Sequence, residues 1–289
     1  MACALLQCFG VLSPTLHLRL SDRFVATDWD RPLDQPRDAT VDLSLILPTY
    51  NERENLPELF ARIDDALAGV CFEVIVADDD SPDQTWALAQ EFQKRYPWLR
   101  VIRRRQGRGL AAAVLCGFRH ACGRVLGVMD ADLQHAPELL PKLFEQIEDA
   151  DFAVATRRSV GGSDGKWSKF RRAGSEAATA LARSLAETSF SDPMSGFFLM
   201  RRVIFQLIDE PDLRPRGYKI LVYLYAKAMR QLGALTVAEV GYEFGVRTRG
   251  RSKLSIKIIA EYLMMLIGLR FAGRLRRARP GREWSHATS

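Results

Sequence analysis

Short apolar runs separated by helix-like segments constrain the fold of this chain more than any other feature of its sequence. A continuous apolar run at 43–47 predicts a buried strand, and further strands are predicted at 72–77, 99–102, 125–129 and 151–155. Apolar residues at helical spacing between these runs predict a helix in each interval. This alternation predicts an α/β fold, with a Rossmann-like, mostly parallel sheet flanked by helices. Ligands of such sheets bind beyond the carboxyl ends of the strands.

The composition excludes several other classes of protein. With 289 residues, 47% hydrophobic and 26% charged, the chain is too apolar to be disordered. Five cysteines without a CxxC pair argue against a disulfide framework or a structural zinc site and favour a reducing, cytosolic setting. The glycine patterns of a dinucleotide fold and of a P-loop are both missing.

Both ends of the chain differ from its centre. Residues 1–40 predict an irregular leader, too short in its apolar part to cross a bilayer. Residues 253–289 predict an amphipathic helix followed by an arginine-rich tail, and the charged residues within that helix exclude a transmembrane span. We expect the helix to lie in a membrane interface, with a core-packed helix and a solvated tail as the alternatives. Basic residues concentrated in a tail do not predict nucleic-acid binding.

An acidic motif follows the fourth predicted strand. Asp130 and Asp132 leave that strand together and can share one hard divalent cation, to which Gln134 adds a neutral oxygen. Ligands that are all oxygen favour Mg²⁺ or Mn²⁺, with diphosphate oxygens completing the shell. His135 is predicted to pack or hydrogen-bond beside this site. Upstream, Asn51 is predicted to cap the first helix.

Six motifs occur in an order that resembles a known family. They are PTYNERENL (48–56), VADDDSPDQT (76–85), DADLQHAPE (130–138), DPMSGF (192–197), GYKI (217–220) and RTRGRSK (247–253). Together they resemble the family 2 glycosyltransferases, in particular the polyprenol-phosphate mannose synthases. The resemblance implies a GT-A catalytic domain over residues 41–252 and inverting transfer of mannose from GDP-mannose to a polyprenol phosphate. It also implies a peripheral enzyme on the cytoplasmic face of a membrane, with a membrane protein as a further partner.

The resemblance also implies roles for individual residues. Those expected to bind the nucleotide sugar are Pro48, Tyr50, Glu52, Ala77, Asp79, Asp130, Ala131, Asp132, Gln134, Arg247 and Lys253. Among these, Asp130, Asp132 and Gln134 would hold the metal, and Asp132, Arg247 and Lys253 would act in catalysis by stabilising the departing diphosphate.

The acceptor site is expected to be basic. A phosphate monoester is largely ionised near neutrality, with a second pKa of about 6, so it needs no strong general base. It needs positive charge, and the resemblance assigns Arg157, Arg171 and Ser175 to this site. Asp192 is expected to line the site or to orient a loop. Gln84 departs from the family pattern, in which a glycine usually follows SPD.

Three alternatives stay open at this point. The first is a polyprenol-phosphate glucosyltransferase that uses UDP-glucose. The second is a soluble family 2 enzyme acting on a saccharide hydroxyl, which would need a positioned base and a polar acceptor groove. The third is a non-catalytic nucleotide or RNA binder, which the intact acidic and basic motifs disfavour.

Overall fold

A computed structural model of the chain describes residues 41–157, 190–208, 220–243, 245 and 264. Within these ranges one sheet is formed by β1 (Leu43–Thr49), β2 (Phe72–Asp78), β3 (Leu99–Arg103), β4 (Val125–Val128), β5 (Phe152–Thr156), β6 (Phe198–Arg201) and β7 (Val237–Gly241). The helices are α1 (Leu56–Ala66), α2 (Thr85–Phe92), α3 (Leu110–His120), α4 (Leu140–Gln146), α5 (Arg202–Ile208) and α6 (Ile220–Leu232).

The sheet is mostly parallel, as predicted, and contains two strands that the apolar runs did not indicate. Its strand order is β3-β2-β1-β4-β6-β5-β7. β6 lies between β4 and β5 and is antiparallel to both, whereas β7 adds to the edge parallel to β5. Because only β6 runs in the opposite direction, the carboxyl ends of β1, β2, β4, β5 and β7 lie along the same end of the sheet, which is called its carboxyl edge below. The chain therefore brings its strand-end motifs to a single edge.

Side chains that alternate along the strands build a core on each face of the sheet. Ile46 and Ile75 face one side, where they belong to a fully buried cluster with residues of α3, α5 and α6. Leu45 and Val76 face the other side and join a cluster with residues of α1 and α4. Burial on both faces explains why these strands are continuously apolar in sequence.

The first helix begins later than the sequence predicted. The prediction that Asn51 caps it is wrong: α1 starts at Leu56, after Asn55. Asn51 instead has a φ of 57°, and its backbone N–H donates to Ser81 Oγ at 3.0 Å. The left-handed backbone, which asparagine tolerates better than most residues, keeps the chain in a loop beside β2.

In the interval between β4 and β5, one 3₁₀ turn at Pro137–Leu139 precedes α4. Gln84 has a φ of 62°, in the left-handed region that glycine adopts most readily. This explains why glycine is usual at this position in the family pattern. Within the described ranges, no helix is both long enough and apolar enough to span a bilayer. The leader, and the C-terminal helix and tail apart from Met264, lie outside the described residues.

Candidate functional site

Polar side chains gather at the edge of the sheet where the parallel strands end. The β1 and β2 ends supply Thr49 and Asp78, and Asp130 follows β4. Arg157 comes directly after β5, and Tyr242 directly after β7. This is the edge at which open α/β sheets bind their ligands.

Asp130 sits in a close-fitting niche beside the loop that precedes β6. Its side chain is 22% exposed, and its Oδ2 lies 3.5 Å from His135 Nε2. A Cβ atom placed on Gly196 would be only 2.6 Å from the same Oδ2. Glycine at position 196 therefore makes room for the Asp130 carboxylate.

Asp132 and Gln134 form a tight turn that is pinned to the end of the β7 segment. Asp132 is buried, and its Oδ1 accepts the backbone N–H of Gln134 at 3.1 Å. The Gln134 side-chain amide donates to the Gly245 carbonyl at 3.0 Å, and the Gly245 N–H donates to the Gln134 carbonyl at 2.8 Å. A Cβ at Gly245 would lie 3.1 Å from that carbonyl oxygen. The acidic turn is therefore held against the segment that leads toward Arg247.

His135 connects the acidic turn to Tyr242. The imidazole is 3% exposed, and its Nδ1 lies 2.7 Å from the Tyr242 hydroxyl oxygen. Phe197 packs edge-on against the ring at 5.4 Å between centroids. Burial, together with the charges of nearby aspartates, raises the pKa of Tyr242 above its ordinary value, so the phenol keeps its proton.

The charged groups of the acidic motif and of the predicted acceptor site surround this tyrosine. The positive charge of Arg157 acts to lower the pKa of Tyr242, whereas the negative charges of Asp192, Asp130 and Asp132 raise it. The geometry agrees, because the Tyr242 hydroxyl contacts His135 beside Asp130, and the Tyr242 backbone N–H donates at 3.0 Å to the carbonyl of Thr156, the residue before Arg157. The structure therefore brings Asp130, Asp132 and Arg157, predicted separately from the sequence, to one site.

Asp78 holds the loop after β2 in shape. Its carboxylate accepts hydrogen bonds from Thr49 Oγ1 at 2.8 Å and from the Ser81 N–H and hydroxyl at 2.8 and 2.6 Å. Burial raises the pKa of Asp78, although these donors oppose that shift by stabilising the ionised form. Asp78 is fully buried, so it shapes the site and does not face a ligand.

Asp79 is tied to the loop that leads into α3. Its Oδ1 pairs with Arg104, and its Oδ2 accepts the Gly109 N–H at 2.6 Å. Burial raises the pKa of Asp79, and the neighbouring positive charge of Arg104 opposes this. The Arg104 side chain is 2% exposed, and its Nε is buried without a hydrogen-bond partner. The predicted nucleoside-binding carboxylate is thus already organised by the protein.

Asp80 faces a basic surface at the same end of β2. Arg103 Nε lies 2.6 Å from its Oδ1, and Arg108 Nη2 lies 3.1 Å from its Oδ2. The hydrogen bond from Arg103 holds the pKa of Asp80 below its ordinary value. Arg103 also lies over the Trp86 ring, with 3.7 Å between the guanidinium carbon and the ring centroid.

The other residues predicted to bind the nucleotide sugar lie at both exposed and buried positions. Tyr50 is 37% exposed, whereas Pro48 is half-buried within β1. Glu52 is half-buried and accepts a hydrogen bond from the Asn55 amide at 2.7 Å. Ala77 is fully buried in the core beneath the site, so its methyl group is not available to a ligand and only its backbone could face one. Ala131 is also buried.

Arg157 forms a buried ion pair with Asp192. Its Nε lies 2.7 Å from Asp192 Oδ2, and its Nη2 lies 3.0 Å from Asp192 Oδ1. The Asp192 side chain is fully buried, and its Oδ1 also accepts the Met194 N–H at 3.2 Å. Asp192 therefore orients both Arg157 and the loop before β6, which agrees with one of the two roles expected for it.

Four of the predicted site residues lie outside the described residues: Arg171, Ser175, Arg247 and Lys253. Across the described ranges, no three His, Cys, Asp or Glu side chains converge as a complete metal-binding group. The predicted set has only two carboxylates, Asp130 and Asp132, with the amide of Gln134. Such a set leaves further coordination positions to oxygen atoms of water or of a bound substrate.

Sequence reasoning missed three contributors to the site: Tyr242, Gly196 and Arg104. Gly196 lies within the DPMSGF motif, so the motif itself pointed to that position. Arg104 is one of three consecutive arginines, and no local pattern distinguishes the buried one. Tyr242 contacts a histidine 107 positions away, which no spacing rule could indicate.

The sequence of this chain is similar to those of known proteins over most of the described residues. The sequence model described as "Glycosyl transferase family 2" matches residues 44–208. A dolichol-phosphate mannosyltransferase of Pyrococcus furiosus is 46% identical over 224 residues, covering 76% of this chain but only 61% of that protein. A Saccharomyces cerevisiae protein of the same name is 40% identical over 235 residues, covering 78% of this chain and 86% of that protein.

A solved structure with a related fold is glucosyl-3-phosphoglycerate synthase from Mycobacterium tuberculosis, in complex with Mn²⁺, UDP and glucosyl-3-phosphoglycerate. It aligns with a TM-score of 0.59 and 18% identity, over 82% of this chain and 81% of that chain. At this identity the likeness concerns the fold. It supports the GT-A architecture expected from the motifs.

Proposed function

This chain belongs to glycosyl transferase family 2, and on that premise we propose that it transfers mannose from GDP-mannose to a polyprenol phosphate. The observation that carries the proposal is the acidic turn of Asp130 and Asp132 at the carboxyl end of β4, which lies against the loop whose Asp192 pairs with Arg157. A nucleotide diphosphate needs bound cations on one side, and an anionic acceptor needs fixed positive charge on the other. The names of the relatives favour mannose as the sugar and a polyprenol phosphate as the acceptor.

The residues of the acidic turn fit a hard divalent cation, Mg²⁺ or Mn²⁺. Asp130, Asp132 and Gln134 offer only oxygen ligands, which such ions prefer. The niche that Gly196 leaves around the Asp130 carboxylate would be filled by any larger residue. When bound, the cation would neutralise charge on the diphosphate of the donor.

The donor would lie across the ends of β1 and β2. Tyr50 and Glu52 extend from the loop after β1, beside the β2 end that carries Asp79. Because Asp79 is fixed by Arg104 and the Gly109 N–H, its carboxylate is pre-organised for a ribose or a base. Arg247 and Lys253 are proposed to close over the diphosphate and to stabilise the leaving group.

The acceptor phosphate would bind beside Arg157, with Arg171 and Ser175 as further contacts. An ionised phosphate oxygen can attack the sugar carbon without a strong base, so the protein's task is to bring two anions together. Asp192 holds the Arg157 guanidinium in a fixed orientation for this task. Residues 253–289 are proposed to hold the catalytic domain, 41–252, at the cytoplasmic face of a membrane, alone or with a membrane-protein partner.

The proposal is tested by following radiolabelled mannose from GDP-mannose into organic-extractable lipid, with polyprenol phosphate and Mn²⁺ present. We expect label in the lipid, and we expect its loss with EDTA and in Asp132→Asn. The matched control is Asp149→Asn, which removes an exposed carboxylate remote from the acidic turn and should leave transfer unchanged. In a parallel assay, lipid product from UDP-glucose but not from GDP-mannose would show that the donor is UDP-glucose. If neither donor gave a lipid product, the proposed polyprenol phosphate acceptor would be wrong.

A further inference from the structure

The imidazole of His135 is held between a tyrosine and an aspartate. Its Nδ1 lies 2.7 Å from Tyr242 Oη, and its Nε2 lies 3.5 Å from Asp130 Oδ2. The ring is 3% exposed and packs between Phe197 and Tyr242, with centroid distances of 5.4 and 5.7 Å. These contacts fix both the position and the rotation of the imidazole.

The chemistry of the three groups sets the direction of their hydrogen bonds. In the tautomer that carries its proton on Nε2, this N–H faces the Asp130 carboxylate, which can only accept. Nδ1 is then an acceptor, and the Tyr242 hydroxyl must donate to it. In this tautomer Tyr242 donates to His135, and the Nε2 proton of His135 faces the Asp130 carboxylate 3.5 Å away.

We propose that Tyr242 and His135 are positioning residues that hold the Asp130 carboxylate in the orientation needed to bind a divalent cation. This inference rests on the function proposed above, in which Asp130 is a metal ligand. Asp130 Oδ2 lies close to Gly196, where a Cβ would be only 2.6 Å away, and 3.5 Å from Nε2 of His135. Outer groups that orient a metal ligand typically contribute about 10- to 100-fold in metal affinity or activity.

The direct test is Mn²⁺ binding to the full chain with saturating GDP, measured from the electron paramagnetic resonance signal of free Mn²⁺. Tyr242→Phe removes only the hydroxyl that orients His135, and we expect the dissociation constant for Mn²⁺ to rise about tenfold. Tyr96→Phe is the matched control. Tyr96 is 5% exposed and lies in the aromatic cluster with Phe60 and Trp98, so Mn²⁺ binding should be unchanged.

A second pair of variants separates positioning from general destabilisation. The side-chain amide nitrogen of glutamine reaches about as far as Nε2 of histidine, so His135→Gln keeps a donor facing Asp130. In His135→Asn the shorter side chain reaches only as far as the Nδ1 position of histidine, so it places no donor beside Asp130. We expect His135→Gln to retain most of the Mn²⁺ affinity and His135→Asn to lose about tenfold or more. Loss of packing alone would not produce this order.

The outcomes distinguish this inference from the proposed function. Wild-type protein that fails to bind Mn²⁺ or Mg²⁺ with GDP would overturn the metal site and the positioning role together. Normal binding by the wild type with equal affinity in Tyr242→Phe would overturn the positioning role alone. Equal loss in His135→Gln and His135→Asn would also contradict it, because the retained donor would then be irrelevant.

Discussion

The Arg157 guanidinium and the Asp192 carboxylate meet in two nearly parallel hydrogen bonds, of 2.7 and 3.0 Å, although 35 positions separate them in the chain. Both side chains are buried, at 7% and 0% exposure. The pair joins the end of β5 to the loop before β6, directly beside the acidic turn. It therefore fixes the orientation of the Arg157 guanidinium where an anionic acceptor is proposed to bind.

Removing the charge of Asp192 should strongly destabilise the protein. Asp192→Asn leaves the buried Arg157 without its counter-charge, and breaking a buried pair in this way costs about 3 kcal/mol or more. The exposed pair of Arg62 and Glu138 provides the control, because Glu138→Gln should cost at most about 1 kcal/mol. Urea unfolding measures both changes. Equal losses of unfolding free energy in the two variants would show that burial does not determine how much the Arg157–Asp192 pair contributes to stability.

A methyl group at position 196 should impair catalysis more than stability. In Gly196→Ala the new Cβ would lie only 2.6 Å from Asp130 Oδ2. To relieve this clash, the Asp130 carboxylate would have to rotate out of its niche. Because a side-chain end can give way, we expect an unfolding temperature near that of the wild type. Transfer activity should fall about tenfold or more, since a metal ligand is displaced. Full activity in this variant would mean that the position of Asp130 is not critical.

Cys116 should be inert to alkylation at pH 8. Burial raises the pKa of its thiol to about 11, so almost none is present as the reactive thiolate. Cys71 and Cys122 are exposed and should react. Peptide mapping by mass spectrometry after iodoacetamide treatment compares the three sites within one sample. Modification of Cys116 at the rate of the other two would contradict its buried, protonated state.

The raised pKa of the Cys116 thiol also predicts how the free energy of unfolding changes at alkaline pH. An acid with a higher pKa in the folded chain holds its proton more tightly there than in the unfolded chain, which has the ordinary value of 9.0. The contribution of Cys116 to the free energy of unfolding should therefore decrease as the pH rises from about 9 to about 11. Cys116→Ala should show a shallower decline than the wild type over this interval. An identical slope in the two proteins would refute the assignment.

Much of the fold could be predicted because β1, β2, β4 and β5 are buried on both faces and therefore read as apolar segments. β6 was missed because Phe198–Arg201 follows a turn motif closely and its antiparallel position depends on β4 and β5, which are distant in sequence. The start of α1 was misplaced because Asn51 has the right side chain for a cap. Tertiary contact with Ser81 gives it a loop conformation instead.

The acidic turn could be predicted because its residues are neighbours in the chain, and Asp130 follows β4 as the run at 125–129 indicated. The contacts that organise it could not, because they join distant segments. Tyr242 reaches His135 across 107 positions, and Gly245 reaches Gln134 across 111. Sequence patterns describe local periodicity, whereas these contacts depend on β7 adding to the far edge of the sheet.

The most direct test of the central claim is the mass of the lipid product formed by purified protein from GDP-mannose and polyprenol phosphate with Mn²⁺. We predict a polyprenol phosphate that has gained one hexose, formed in proportion to the GDP released, and absent with Asp132→Asn. GDP release with unmodified lipid, or hexose transfer to a water-soluble acceptor instead, would contradict the proposed reaction.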